Sequence, residues 1–293
     1  MSTYVFKEKQ FSSLYHKYII SGSSEIMAMI LSYVAEKFLF TPYSIMYLKN
    51  EPYCKDIQKG LPLPLSLAVD VGCGTGKSTL PLAPHFKSVL GIDFSDSQIN
   101  MARQCNAAEN VSYTVASAEQ MPLEDESVDL VNAGFAVHFF DQDKFLSEAV
   151  RVMNKNGCLA LHACHPSMQV EYKNLSQDLT QVMHEAMANI SKFDCNSFEH
   201  LSSQYQSIYE AVPLKDKKWI TDITEKVSMS TAGLIGLLQA ICCFQIFKDK
   251  DPNGANELLK NTEQRLHDLL GEDAESAVFN VYFKHHCVLA CKS

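Results

Sequence analysis

Three alternating glycines stand in Val69-Asp70-Val71-Gly72-Cys73-Gly74-Thr75-Gly76-Lys77-Ser78, directly after an apolar run and with the carboxylate of Asp70 inside the motif. Glycines so placed let a ligand approach the main chain where a Cβ would collide with it. A second apolar run, Val89-Leu90-Gly91-Ile92, ends in another carboxylate, Asp93, and then Phe94. One carboxylate can accept both hydrogen bonds of a ribose diol. A strand, a glycine turn, a helix and a second strand ending in an acid make half of a nucleotide-binding α/β fold.

The spacing sorts the ligands. A P-loop needs Gly-x-x-x-x-Gly-Lys-Ser/Thr, and its first glycine would fall on Val71. A dinucleotide fingerprint needs Gly-x-Gly-x-x-Gly, and its third glycine would fall on Lys77. Asp-x-Gly-x-Gly-x-Gly remains, with an acid suited to an ammonium group on a ligand without phosphate. S-adenosylmethionine is such a ligand.

The run from Val69 to Ser78 resembles motif I of the class I S-adenosylmethionine-dependent methyltransferases. Gly91-Ile92-Asp93-Phe94-Ser95 resembles their ribose-binding acidic motif, and Ala116-Ser117-Ala118-Glu119-Gln120-Met121-Pro122 their adenine-flanking motif, with Ser117 in place of the usual acid. Ala136-Val137-His138-Phe139-Phe140-Asp141 and Arg151-Val152-Met153-Asn154-Lys155-Asn156-Gly157 are similar to the small-molecule branch related to trans-aconitate methyltransferase. The resemblance covers roughly residues 65–165. It implies a Rossmann-like α/β fold: a seven-stranded, mostly parallel sheet with an antiparallel last strand, and a helical insertion over the active site. It also implies S-adenosylmethionine as cofactor, held by Asp70, Gly72, Cys73, Gly74, Gly76, Asp93, Phe94, Ser117, Ala118 and Asn132. The acceptor it implies is a small molecule, with a carboxylic acid as first candidate and nitrogen, sulfur or phenolic oxygen as alternatives. A cofactor-binding protein without catalysis is the reading from another class.

His138 follows the fourth apolar strand and is the candidate catalytic group. It would act as a base near neutral pH, orient a carboxylate, or serve structure alone. His165 is a weaker candidate. Cys158, His162 and Cys164 share one strand face, and a buried strand with small thiols explains them more simply than a metal site does. No metal is expected.

Composition narrows the partners. The net charge of −9 argues against a nucleic-acid substrate. The ten cysteines are scattered and follow a polar N-terminus, which suits reduced thiols in the cytoplasm. The apolar stretch Ala232 to Phe247 contains Gln239 and Gln245 and is short of the ~20 residues a bilayer span needs, so a buried or pocket-lining helix and no membrane partner are expected. The chain is expected to be monomeric.

The elements that position these groups follow from periodicity. Ile26, Met27, Ile30, Leu31 and Val34 mark a helix over 24–37. Residues 1–66 are expected to form an N-terminal helical cap and an inserted loop whose irregular part, 38–66, carries four prolines. Residues 67–165 form the cofactor-binding core, with strands near 67–71, 88–93, 111–116, 128–133 and 157–164. A helix follows the glycine turn, where Pro81 is tolerable only in its first turn. Ser95-Asp96-Ser97-Gln98 caps the next helix, and Asp141 caps the helix ending near Met153. Residues 166–276 read as a helical substrate cover with no strand, in which Trp219, Tyr205, Tyr209, Phe244 and Phe247 are candidate pocket aromatics. Residues 277–293 read as a C-terminal β-hairpin that completes the sheet.

Overall fold

The computed structural model describes residues 9–19, 24–38 and 65–292. The irregular part of the expected insertion, residues 39–64, lies outside them. Two helices come first, α1 (Lys9–Tyr18) and α2 (Ser24–Phe38). Five strands follow with two helices among them: β1 (Leu65–Val71), β2 (Phe86–Asp93), α3 (Asp96–Cys105), β3 (Val111–Val115), β4 (Val128–Gly134), α4 (Gln142–Val152) and β5 (Met153–Glu171). Then come α5 (Ser176–Ser191), α6 (Cys195–Ser202), α7 (Gln206–Ala211) and β6 (Asp216–Ser230). The chain ends in α8 (Thr231–Ala240), α9 (Cys242–Lys250), α10 (Pro252–Leu270) and β7 (Val278–Cys291).

The seven strands make one sheet in the order β3-β2-β1-β4-β5-β7-β6. The first five pair in parallel, and β7 runs antiparallel to both β5 and β6. The order reverses between β1 and β4, and in an open α/β sheet a ligand crevice forms beyond the carboxyl ends of the strands at that point. Parallel strands must be covered on both faces. On one face Ile26, Ile30 and Val34 of α2 pack with Leu82, Val89, Ile99 and Leu130. On the other, Val69, Val71, Ile92 and Val131 pack with Phe145, Leu146, Ala149 and Val152 of the α4 segment.

The second half departs from the sequence reading. A 15-residue strand, β6, crosses the stretch expected to be wholly helical. The expected terminal hairpin is one 14-residue strand, β7. The two strands pair from Asp216↔Cys291 to Ser230↔Val278, so the partner of the last strand lies upstream of the last three helices. Lys284-His285-His286 reads as a polar break, yet both histidines are buried, and His285 Nε2 meets Glu225 Oε2 of β6 at 3.0 Å. The partnered His285 does not interrupt the strand, and His286, whose ring nitrogens have no hydrogen-bond partner, packs edge-on with the Tyr205 ring at 4.6 Å.

β5 also runs beyond its expected end, and its ladder to β7 shifts between Cys164 and Met168. Pro166 stands inside that shift, where it has no N–H to give the ladder. Past the bulge, Met168 and Val170 join Phe279, Val281 and Phe283 to form a platform. Leu179, Met183, Leu234, Leu238 and Leu266 of α5, α8 and α10 pack on it. The helical cover therefore rests on an extension of the sheet. The apolar stretch 232–247 breaks into α8 and α9, bent by 72°.

Ser95 caps α3 by accepting from Gln98 N, and Asp141 caps α4 by accepting from Lys144 N. No α-helix follows the glycine turn; a short 3₁₀ segment, Leu80–His85, stands there. Pro81 lies in its first turn and Pro84 inside it, and a second proline that close removes the hydrogen bonds a longer helix needs.

Candidate active site

The carboxyl ends of β1, β2, β4 and β5 open on one cavity of about 410 Å³. Of the residues singled out in the sequence, Gly72, Gly74, Asp93, Phe94, Ser117, Ala118, His138 and His165 line it. Asp70, Cys73, Gly76 and Asn132 do not. They form the layer behind, and their contacts show what they do there.

Asp70 is fully buried. Its Oδ2 accepts from Thr79 Oγ1 at 2.6 Å and its Oδ1 from Asn132 Nδ2 at 2.7 Å. Burial pushes its pKa up to about 6, and these two donors act against that shift. Asp70 thus ties the end of β1 to β4 and to the segment after the glycine turn. Gly76 has φ +84°, and a Cβ there would lie 2.4 Å from Tyr113 Oη. Gly72 has φ +69°, and its Cβ would lie 2.5 Å from Ala136 Cβ. Both glycines are required by backbone conformation and close approach. Cys73 is packed under the turn, and burial raises its thiol pKa well above the ordinary value.

The cavity side of the turn is shaped to receive a ligand. Gly74 has φ +53°, and nothing lies nearer to its absent Cβ than Tyr15 Cε1 at 3.6 Å. Asp93 accepts Gly74 N–H at 3.0 Å through Oδ2 and Ser95 N–H at 2.9 Å through Oδ1. Each oxygen keeps a second lone pair. Burial raises the Asp93 pKa to about 6, so the group is mainly ionised at neutral pH. Gln98 also lines the cavity, and its Oε1 is buried without a partner. A glycine cradle, a diol-accepting carboxylate and an orphaned acceptor suit the nucleoside and amino-acid parts of S-adenosylmethionine.

His138 is buried, and its Nδ1 lies 2.7 Å from Tyr205 Oη. Burial, and secondarily His200, lowers its pKa to about 3, so the ring is neutral. Tyr205 is fully buried and remains a phenol. A buried donor left unpaired costs more than an acceptor with one idle lone pair. The hydroxyl therefore donates to Nδ1, and the proton of His138 sits on Nε2. Tyr205 holds φ +63° and Phe135, on the cavity wall, φ +56°. Side chains rarely adopt that region, and such strain clusters at functional sites.

Several wall residues escaped sequence reading. Tyr15 reaches the cavity from α1, which His16 Nδ1···Thr75 Oγ1 (3.1 Å) and Lys77 Nζ→Ile19 O (2.6 Å) fasten over the turn. The expected capping helix, α2, packs on the sheet face instead. Leu237, Leu238, Ile241, Cys242 and Cys243 line the cavity from α8 and α9, as the apolar stretch allowed. The five proposed aromatics do not line it: Trp219 stacks on Tyr209 at 38% exposure, Phe244 and Phe247 sit in the core of the cover, and Tyr205 stands behind His138. Among the described residues no cluster of three or more metal-ligating groups occurs.

Residues 69–161 match the Methyltransferase domain family. That segment carries the likeness to a methyltransferase domain. S-adenosylmethionine is the cofactor that this likeness implies. A Dictyostelium discoideum protein named as a methyltransferase is 35% identical over 119 residues, 41% of this chain and 42% of that protein. The uncharacterized methyltransferase YcgJ of Bacillus subtilis is 26% identical over 160 residues, 52% of this chain and 63% of that protein. The chain thus matches under two thirds of the length of these curated relatives. A solved structure from Anaeromyxobacter dehalogenans, named for a type II methyltransferase, shares the fold, with a TM-score of 0.60 at 20% identity over 80% of this chain and 93% of that one.

Proposed function

We propose that this protein transfers a methyl group from S-adenosylmethionine to a small molecule enclosed in the same cavity. One observation carries the reading. The cradle of Gly72, Gly74 and Asp93 and the mainly apolar wall from β5, α5, α8 and α9 belong to one continuous space under the helical cover. When bound, the cofactor supplies a methyl carbon on a sulfonium, which is already a good leaving group. The protein's part is to hold both partners close, orient them and keep water out, which accounts for much of the rate of such a displacement.

Gly72 and Gly74 admit the cofactor to the main chain, and Asp93 accepts its ribose hydroxyls. Asp70 and Asn132 act indirectly by fixing the turn. Phe94, Ser117 and Ala118 flank the nucleoside. His138, neutral and with its free proton on Nε2, serves as a hydrogen-bond donor that positions the acceptor. A base titrating near neutral pH is disfavoured by its burial. The mainly apolar wall, which carries no lysine or arginine among the described residues, favours an acceptor other than a carboxylic acid. Incubating the purified chain with methyl-labelled cofactor and a metabolite extract tests the function. Label in a small-molecule product supports it, and label that stays in the cofactor while S-adenosylhomocysteine binds leaves a non-catalytic binding protein.

A further inference from the structure

We propose that the acceptor is an uncharged, largely apolar molecule whose nitrogen or sulfur lone pair attacks without first losing a proton. The inference rests on the methyl-transfer reading above and names the substrate class of that site.

Charge is the first argument. Among the described residues no lysine or arginine lines the cavity, and its only formal charges are Asp93 and Glu119. Both belong to the cofactor end, where Glu119 is engaged by Ser117 Oγ and by Asp141 N–H at 3.0 Å. The rest of the wall is built from groups such as Phe135, Phe139, Met168, Met187, Leu238 and Ile241. A carboxylate or phosphate entering that space loses its hydration and, among the described residues, meets no cationic side chain in return.

Proton chemistry is the second. The acceptor end offers two imidazoles. His165 Nδ1 accepts Ser167 N–H at 3.1 Å and lies 2.6 Å from Ser167 Oγ, so its proton sits on Nε2. Burial lowers its pKa, with Lys284 and His184 acting in the same direction. His138 has the same tautomer. Both rings therefore present an N–H donor and no free lone pair. The Cys164, Cys242 and Cys243 thiols on the wall are raised in pKa by burial and stay protonated. At the acceptor end the described residues can donate hydrogen bonds to a neutral molecule's oxygen or nitrogen, but none of them is a base placed to remove a proton before attack.

A neutral lone-pair nucleophile needs neither service. Its pair forms the new bond to the methyl carbon, the bond from that carbon to sulfur breaks with its electrons returning to sulfur, and the positive charge passes to the product. One positive charge is present before and after, so the apolar wall never has to hold an anion or a separated ion pair. A pyridine-type nitrogen, a tertiary arylamine and a thioether share this chemistry.

The test uses the full chain loaded with S-adenosylhomocysteine and three probes of similar size: quinoline, ethyl phenyl sulfide and 3-phenylpropionate. Calorimetry at neutral pH should show quinoline or the sulfide binding about tenfold or more tighter than the carboxylate. Methyl transfer from labelled S-adenosylmethionine should follow the same order, with label on nitrogen or on sulfur telling the two nucleophiles apart. His165→Arg, which places a cation on the wall, should raise affinity for 3-phenylpropionate about tenfold. Equal or tighter binding of the carboxylate by the unsubstituted protein, no binding of any probe, or an unchanged carboxylate affinity in His165→Arg would overturn the inference. Failure of S-adenosylhomocysteine itself to bind would instead overturn the methyl-transfer reading, and this inference with it.

Discussion

Replacing Asp93 by asparagine isolates the carboxylate's contribution to cofactor binding with little change of shape. In the folded protein Asp93 accepts Gly74 N–H at 3.0 Å and Ser95 N–H at 2.9 Å, and its remaining lone pairs face the cavity. Asparagine keeps one carbonyl oxygen, so one backbone donor stays satisfied and one ribose hydroxyl loses its acceptor. The negative charge is lost for the other. A hydrogen bond to a charged group contributes about 1.5–3 kcal/mol. Losing one such bond and weakening a second gives about 3 kcal/mol, roughly 10²-fold in affinity. Calorimetric titration with S-adenosylhomocysteine reads this directly, and thermal unfolding checks that the variant is folded. The ionisation adds a pH signature. With the Asp93 pKa raised to about 6, wild-type affinity should fall as pH drops below about 6, and Asp93→Asn should lose that dependence. Unchanged affinity in folded Asp93→Asn would refute the assignment of Asp93 to the ribose.

Four further outcomes follow from the same contacts. Thr79→Val removes the donor to Asp70 and leaves a buried carboxylate short of a partner, so denaturant unfolding should show a loss of about 1–3 kcal/mol. Gly76→Ala places a Cβ 2.4 Å from Tyr113 Oη on a backbone with φ +84°, so it should lower stability and cofactor affinity together, read by unfolding and calorimetry. His138, His162 and His286 are held to about 3 by burial, against about 6.5 when unfolded. Their stabilising effect is present above 6.5 and lost as pH falls toward 3, because the unfolded chain binds the protons first. Asp70 and Asp93, raised to about 6, act oppositely between 3.8 and 6; with three groups against two, unfolding followed by circular dichroism should show net loss of stability on acidification. His138→Gln, assayed on the true acceptor, should reduce kcat/KM without removing a limb of the pH–rate profile near neutral, because the wild-type ring does not titrate there.

The chemistry-bearing half of the molecule was legible because few residue types satisfy its constraints. Gly72 and Gly76 must be glycine for conformation and contact alike, and Asp93 must be an acid at a strand end. Ser95 and Asp141 announce their helices through their own side chains. β6 was hidden because it is an edge strand with one wet face, and its ladder shifts between Ile220 and Ile223, which breaks the alternation midway. Ile223, Val227 and Met229 do recur with period two beyond that shift, so part of the signal was present. β7 was split because buried histidines look like a polar turn until Glu225 is seen across the ladder. Tyr15 had no signal at all. Its place on the cavity wall depends on tertiary hydrogen bonds from α1 to the glycine turn, which no local pattern encodes.

Amide hydrogen exchange with and without S-adenosylhomocysteine tests most directly whether this crevice is the cofactor site. Ligand should slow exchange at three separated segments together, Gly72–Gly76, Asp93–Gln98 and Ser117–Glu119, with ATP and NAD producing no such effect because Val71 and Lys77 break both phosphate fingerprints. Absence of protection at those segments, protection confined to another part of the chain, or the same pattern with ATP or NAD alone would contradict the account.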